Sequence, residues 1–166
     1  IGIRNNMREA MKIYGGDVSV APTSDDVEQA TNVFRDHLGM LKALFIECDL
    51  TVFINPQSDS IERYWALTNA AEYVFSSTTL LNVDGLGSVQ KVSFKTYFLK
   101  LVKRMRTAYD ICQPSGELGE EESSLAQCFM AIAGLVRKMS GTSDIDADIM
   151  NRTVEKMVTE ALQYSN

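Results

Sequence analysis

Apolar residues recur along this chain at spacings of three and four, the signature of helices that bury one face. Ile3, Met7, Ala10, Met11 and Tyr14 form the first such stripe, which Gly15-Gly16 stops as helix-ending glycines do. Asp17 to Pro22 alternates briefly and ends in proline, which reads as an extended connection or an edge strand at best. Thr23 or Ser24 can cap the next helix, whose stripe runs Val27, Ala30, Phe34, Leu38, Leu41 and Phe45. The β-branched run Leu50 to Ile54 fits either a last helical turn or a short strand before Asn55-Pro56 breaks it.

Asp59 with Glu62 resembles a capping box, and Ile61, Tyr64, Trp65, Ala71, Val74 and Phe75 follow as an aromatic-rich stripe to about Ser76. From Ser77 to Ser88 glycine, serine and threonine replace the periodicity, which predicts a long loop and the most mobile part of the chain. A helix from about Val92 to Cys112 places Phe94, Phe98, Leu101, Val102, Met105, Ala108, Tyr109 and Cys112 on its apolar side. Pro114-Ser115-Gly116 ends it. Another starts in Glu120-Glu121-Glu122 and carries Leu125, Phe129, Ile132, Val136 and Met139 to Gly141, with Gly134 inside it. After Ser143-Asp144 a last stripe runs Ile149, Met150, Val154, Met157, Val158, Ala161 and Leu162. The fold class expected is mainly α, a bundle or orthogonal array of about six helices with little or no sheet. It forms a single domain over residues 1–166, with any subdivision near residues 77–90.

Bulk properties narrow the partners more than the fold. The 166 residues are 45% apolar and 23% charged, ordinary globular usage that needs no metal or disulfide to build a core. No apolar run approaches the roughly 18 residues that span a bilayer, so no membrane partner is expected. A net charge of −6 argues against a surface devoted to nucleic acid, leaving DNA contact as a local matter. Cys48, Cys112 and Cys128 are odd in number and widely spaced, which reads as reduced thiols in a cytoplasm. The opening Ile1-Gly2-Ile3 lacks the features of a signal peptide and is read as the start of an excised fragment.

Catalytic patterns are missing from the chain. GxxxxGK[ST], HExxH, CxxC and GxSxG do not occur, and Gly85-Leu86-Gly87 lacks the third glycine of a nucleotide loop. The single histidine, His37, follows Asp36 on a helix, where neighbours point about 100° apart and form no dyad. Acidic groups at Asp25-Asp26, Glu120 to Glu122 and Asp144, Asp146 and Asp148 coincide with helix starts, where carboxylates cap and oppose the dipole. Six of the eight methionines sit in the stripes and read as core, while Trp65 with Tyr64 is read either as core or as an exposed anchor for a partner. Catalytic, cofactor-binding and metal-binding residues are therefore expected to be none. The one local feature that favours recognition is basic: Lys95, Lys100, Lys103, Arg104 and Arg106, expected on the polar side of their helix, as a solvated face or as contact for an acidic partner or a DNA backbone.

The order of these pieces carries a resemblance. The stretch from Phe94 to Pro114, with its Ala108-Tyr109 pair, is followed by Gln127-Cys128-Phe129-Met130-Ala131-Ile132 and then by Ile149-Met150-Asn151-Arg152. It resembles the C-terminal helical domain of the R (HsdR) subunit of type I restriction enzymes, and Met7 to Tyr14 resembles the linker that follows the motor domains there. The resemblance spans most of the chain and is clearest from residue 90 onward. It implies a parent subunit that is a type I site-specific deoxyribonuclease and ATP-dependent DNA translocase, with ATP and Mg bound by upstream domains and no cofactor in this fragment. It also implies docking on the methyltransferase and specificity subunits, with DNA met mainly through the parent assembly. The alternative is a stand-alone helical adaptor or peptide-binding module.

Overall fold

A computed structural model describes residues 22–55, 58–85 and 87–141, together with Arg152, Lys156 and Thr159. Within them lie four α-helices, α1 Ser24–Glu47, α2 Ser60–Ser76, α3 Phe94–Cys112 and α4 Glu120–Met139, and a hairpin of β1 Leu80–Gly85 and β2 Ser88–Ser93. The expectation of about six helices is not matched. The stripe at residues 3–14, the segment 17–21 and the apolar residues from Ile149 to Leu162 lie outside the described residues. Arg152, Lys156 and Thr159 are helical and exposed.

Local chemistry sets the ends of each helix. The Thr23 hydroxyl accepts from the Asp26 N–H at 3.2 Å while the Asp26 carboxylate accepts from the Thr23 N–H at 3.1 Å, a reciprocal box that starts α1. The helix stops where Asp49 turns left-handed, at φ 56°. The Leu50 N–H then reaches back to the Phe45 carbonyl at 2.8 Å and the Asp49 N–H to Ile46 at 3.2 Å, a Schellman closure that tucks Leu50 into the core. The ambiguous run that follows is helical, a 3₁₀ turn over Thr51–Ile54. Asp59 caps α2 through the Glu62 N–H, and Ser93 caps α3 through the Thr96 N–H.

The stretch expected to be a loop is instead an antiparallel hairpin, paired from Leu80↔Ser93 to Gly85↔Ser88. Gly87 supplies the positive φ of the connection, at 84°. Leu81, Val83 and Val92 share the half-buried side. The Phe94 N–H donates to the Thr79 carbonyl at 3.0 Å, so the base of the hairpin is bonded to the first residue of α3. A two-stranded hairpin alone is marginal in water; this one is held by the helices at both of its ends.

Helices from before and after the hairpin pack on one another, α1 with α3 and α2 with α4. The first pair is antiparallel, because Phe45 lies 5.8 Å from Phe98 while Phe34 lies 5.6 Å from Tyr109, eleven residues back on one helix and eleven on along the other. Phe129 of α4 meets Phe45 edge-on at 5.0 Å and Phe98 at 6.4 Å. Phe94 extends the cluster to Tyr73 of α2 at 6.0 Å. All four helices thus contribute a ring. α4 is the most enclosed: between Leu125 and Val136 only Gln127 and Leu135 are not buried, and Gly134 is buried with the rest.

The stripe expected on α2 is shifted. Its buried residues are Leu67, Ala70, Ala71 and Val74, whereas Ile61, Trp65 and Phe75 are exposed, Trp65 by 59%. At about 100° per residue the two sets lie on adjoining sides of the helix, and α4 covers the small-residue side because alanines admit its backbone closely. Among the methionines Met105 and Met130 are buried while Met40 and Met139 are exposed, so the core reading of Met139 is also corrected; Met7, Met11, Met150 and Met157 lie outside the described residues.

One bidentate ion pair joins α1 to α4. Arg35 Nε donates to Glu122 Oε2 at 2.7 Å and Nη2 to Oε1 at 3.0 Å, while Glu122 Oε1 also accepts from the Gly119 N–H at 3.0 Å. The guanidinium holds the Glu122 carboxyl below its ordinary range, against the opposing effect of partial burial. A lowered carboxyl stabilises the fold above the unfolded-state value, and this is lost as pH falls through the folded value. Acid titration of wild type should therefore show a loss of thermal stability beginning at the ordinary glutamate range and continuing below it, reduced in Glu122→Gln, as read by melting temperature against pH. Truncating the ring common to three helices is far more costly: Phe98→Ala should lose about 3–5 kcal/mol in urea unfolding, as a large cavity in a packed aromatic cluster does.

Candidate recognition groove between the paired helices

Among the described residues, nothing covers the outer flank of the α1–α3 pair on the side away from α4. On α1 the positions Asp26, Gln29, Ala30, Val33 and His37 follow one seam, spaced by three and four. On α3 the seam is Lys100, Lys103, Arg104, Thr107, Ala108 and Ile111. Together they line a groove of about 760 Å³. Its floor exists because Ala30 and Ala108, both buried, are too small to fill the space between the helix axes. Val33, 42% exposed, and the half-buried Ile111 add apolar surface beside them.

The five basic residues singled out in the sequence separate into two groups. Lys100, Lys103 and Arg104 are exposed and stand together along the α3 lip of the groove. Lys95 and Arg106 are half-buried and project roughly a third of a turn away around the same helix. Lys95 Nζ sits 4.8 Å above the Phe75 ring, a cation–π contact with α2. Arg106 Nε lies 3.8 Å from Asp110 Oδ2, one turn on. Helical periodicity places cations opposite a core, but which neighbour each one meets depends on the packing.

His37, Val33 and Ile111 were not among the recognition residues read from the sequence. A signal was present: Val33 and Ile111 are large apolar residues that fit neither buried stripe, and an off-stripe valine or isoleucine marks a second contact surface.

Backbone carbonyls hold two of the polar groups of the groove. His37 Nδ1 donates to the Val33 carbonyl at 2.8 Å, and the Thr107 hydroxyl donates to the Lys103 carbonyl at 3.0 Å. The Thr107 hydroxyl is thereby tied to its own helix, and the His37 ring is oriented by its own, with Nε2 outside that bond. Asp26 belongs to the N-terminal box of α1. Among the described residues no three His, Cys, Asp or Glu side chains converge as metal ligands. Cys48, Cys112 and Cys128 are all free thiols, none of them lining the groove. Burial pushes each thiol up from its ordinary value, with the Thr31 hydroxyl opposing this at Cys112 and the neighbouring Glu47 and Asp49 reinforcing it at Cys48. Thiols held protonated in this way are poor nucleophiles. No helix among the described residues is long and apolar enough to cross a membrane.

A family model described as type I restriction enzyme HindI endonuclease subunit-like, C-terminal, matches residues 20–166. No curated protein and no solved structure matches the chain.

Thiol labelling tests the inertness of the cysteines. With a disulfide reagent near neutral pH the folded chain should react slowly and at Cys48 first, the half-buried thiol, with Cys112 and Cys128 labelled only on unfolding. Rapid modification of all three in the native chain, located by mass spectrometry, would contradict the burial that keeps them unreactive.

Proposed function

Since the chain belongs to the type I restriction enzyme HindI endonuclease subunit-like family, as its C-terminal domain, we propose that it is the non-catalytic assembly module of an R (HsdR) subunit, docking that subunit on the methyltransferase core during DNA restriction. The observation that carries this reading is the lining of the groove, where hydroxyl and imidazole are engaged by backbone carbonyls while cations and apolar side chains face outward. Such a surface, apolar at its floor and cationic along one lip, suits recognition of another macromolecule. Trp65, exposed and edge-on to Tyr64 at 5.3 Å, adds an aromatic of the kind that interfaces use as anchors.

In this reading the partners are the methyltransferase and specificity subunits. DNA is met mainly through the parent assembly. Nuclease and ATP-driven translocase activities, with their ATP and Mg, belong to other domains of the parent subunit. The three free thiols suit a reducing cytoplasm. An adaptor that binds diverse peptides would favour a continuous apolar channel, whereas this groove has one cationic lip and one acidic end, which suits a particular docking partner.

The chain of 166 residues should be retained by immobilised methyltransferase–specificity complex at micromolar concentration, and should by itself neither cleave DNA nor hydrolyse ATP in the presence of Mg. A chain shown to be helical by circular dichroism that fails to bind the complex at that concentration would refute the assembly role.

A further inference from the structure

We propose that the groove between α1 and α3 receives an acidic amphipathic helix of the methyltransferase subunit, an assignment that rests on the assembly role above. The shape is the first reason. Each wall is a seam of one helix with residues spaced by three and four, running from Asp26 to His37 and from Lys100 to Ile111, twelve residues in either case. The eleven steps between their ends rise about 16 Å, so the trough accommodates about three turns of a further helix. With α4 covering the opposite flank, a helix laid there would complete a layer on the exposed side of the pair.

The lining sets the chemistry of the occupant. Ala30 and Ala108 allow close approach at the floor, and Val33 and Ile111 offer apolar contact on either side of it. The incoming helix therefore needs a seam of apolar side chains. Lys100, Lys103 and Arg104 fall at i, i+3 and i+4 on one lip only, which calls for Asp or Glu at matching spacing on one side of that seam. A DNA duplex fits less well: the facing lip carries Asp26 rather than a cation, the floor is apolar, and the chain as a whole bears a net charge of −6.

Affinity for the purified methyltransferase–specificity complex is the direct test, measured by titration calorimetry at moderate salt. Combined Lys100→Glu, Lys103→Glu and Arg104→Glu should weaken binding by about tenfold or more, and Val33→Glu, which puts a charge on the apolar floor, should do the same. All four positions are exposed, so melting temperature and helicity should stay at wild-type values. Lys91→Glu with Lys138→Glu, exposed cations away from the groove, should bind as wild type.

Wild-type affinity in both groove variants would overturn the groove assignment while leaving the assembly role standing. An equal loss in the distant pair would overturn it in favour of net charge. Absence of binding by the folded wild-type chain would remove the assembly role and this inference together. Photo-crosslinking from Val33→p-benzoylphenylalanine in the complex with DNA identifies the occupant. Attachment to an acidic helical segment of the methyltransferase subunit is expected; attachment to the specificity subunit, to DNA, or to residues 1–21 or 142–166 of this chain would overturn the proposal.

Discussion

The contact among Phe45, Phe98 and Phe129 is the constraint on which the remaining geometry depends. Three rings from three helices meet with centroids 5.0, 5.8 and 6.4 Å apart, and all three are fully buried. Each removes a large apolar surface from water, worth about 2–3 kcal/mol, and each tilted or edge-on pair adds about 1 kcal/mol. Because the rings come from positions far apart in sequence, they fix how α1, α3 and α4 are turned about their axes. Phe94, stacked one turn before Phe98, carries the same constraint to Tyr73 and so to α2.

Once those rotations are set, what each helix shows to solvent is no longer free. Turning Phe34, Leu41 and Phe45 inward on α1 puts Arg35 on the flank facing α4, where it meets Glu122, and puts Asp26, Val33 and His37 on the opposite flank. On α3 the same logic turns Lys100, Lys103 and Arg104 toward the outer seam and leaves Lys95 over Phe75. The groove is thus a by-product of core packing, deepened because the buried residues at its floor, Ala30 and Ala108, are small. A recognition surface built on two paired helices is stiffer than one on loops, which favours a defined docking geometry.

The hairpin and α2 show where periodicity misleads. Ser77 to Ser88 is rich in Gly, Ser and Thr, and its alternation amounts to Leu81, Val83 and, across the turn, Val92. So short a pattern is weak beside the loop-forming composition; pairing becomes favourable because the base of the hairpin bonds to the start of α3 and Leu81 packs against the core. On α2 the aromatic residues drew the stripe toward themselves. Hydrophobicity marks which residues would gain from burial, while the close approach of α4 selects Ala70 and Ala71, leaving Ile61, Trp65 and Phe75 outside.

What the chain by itself determined were the features that depend on neighbours within a few residues. The start of α1 at Thr23 and of α2 at Asp59, the stop at Gly116, the acidic first turn of α4 and the buried faces of α1 and α3 follow from capping bonds and a 3.6-residue repeat. The presence of a basic face on α3 was legible in the same way. Its division into three groove cations and two packed against other partners was not, nor was the placing of Val33 and Ile111 in one groove or the pairing of Arg35 with Glu122. Those depend on which helix lies beside which and at what rotation, and that is decided by rings and alanines brought together from distant parts of the chain, whose complementarity no local repeat encodes.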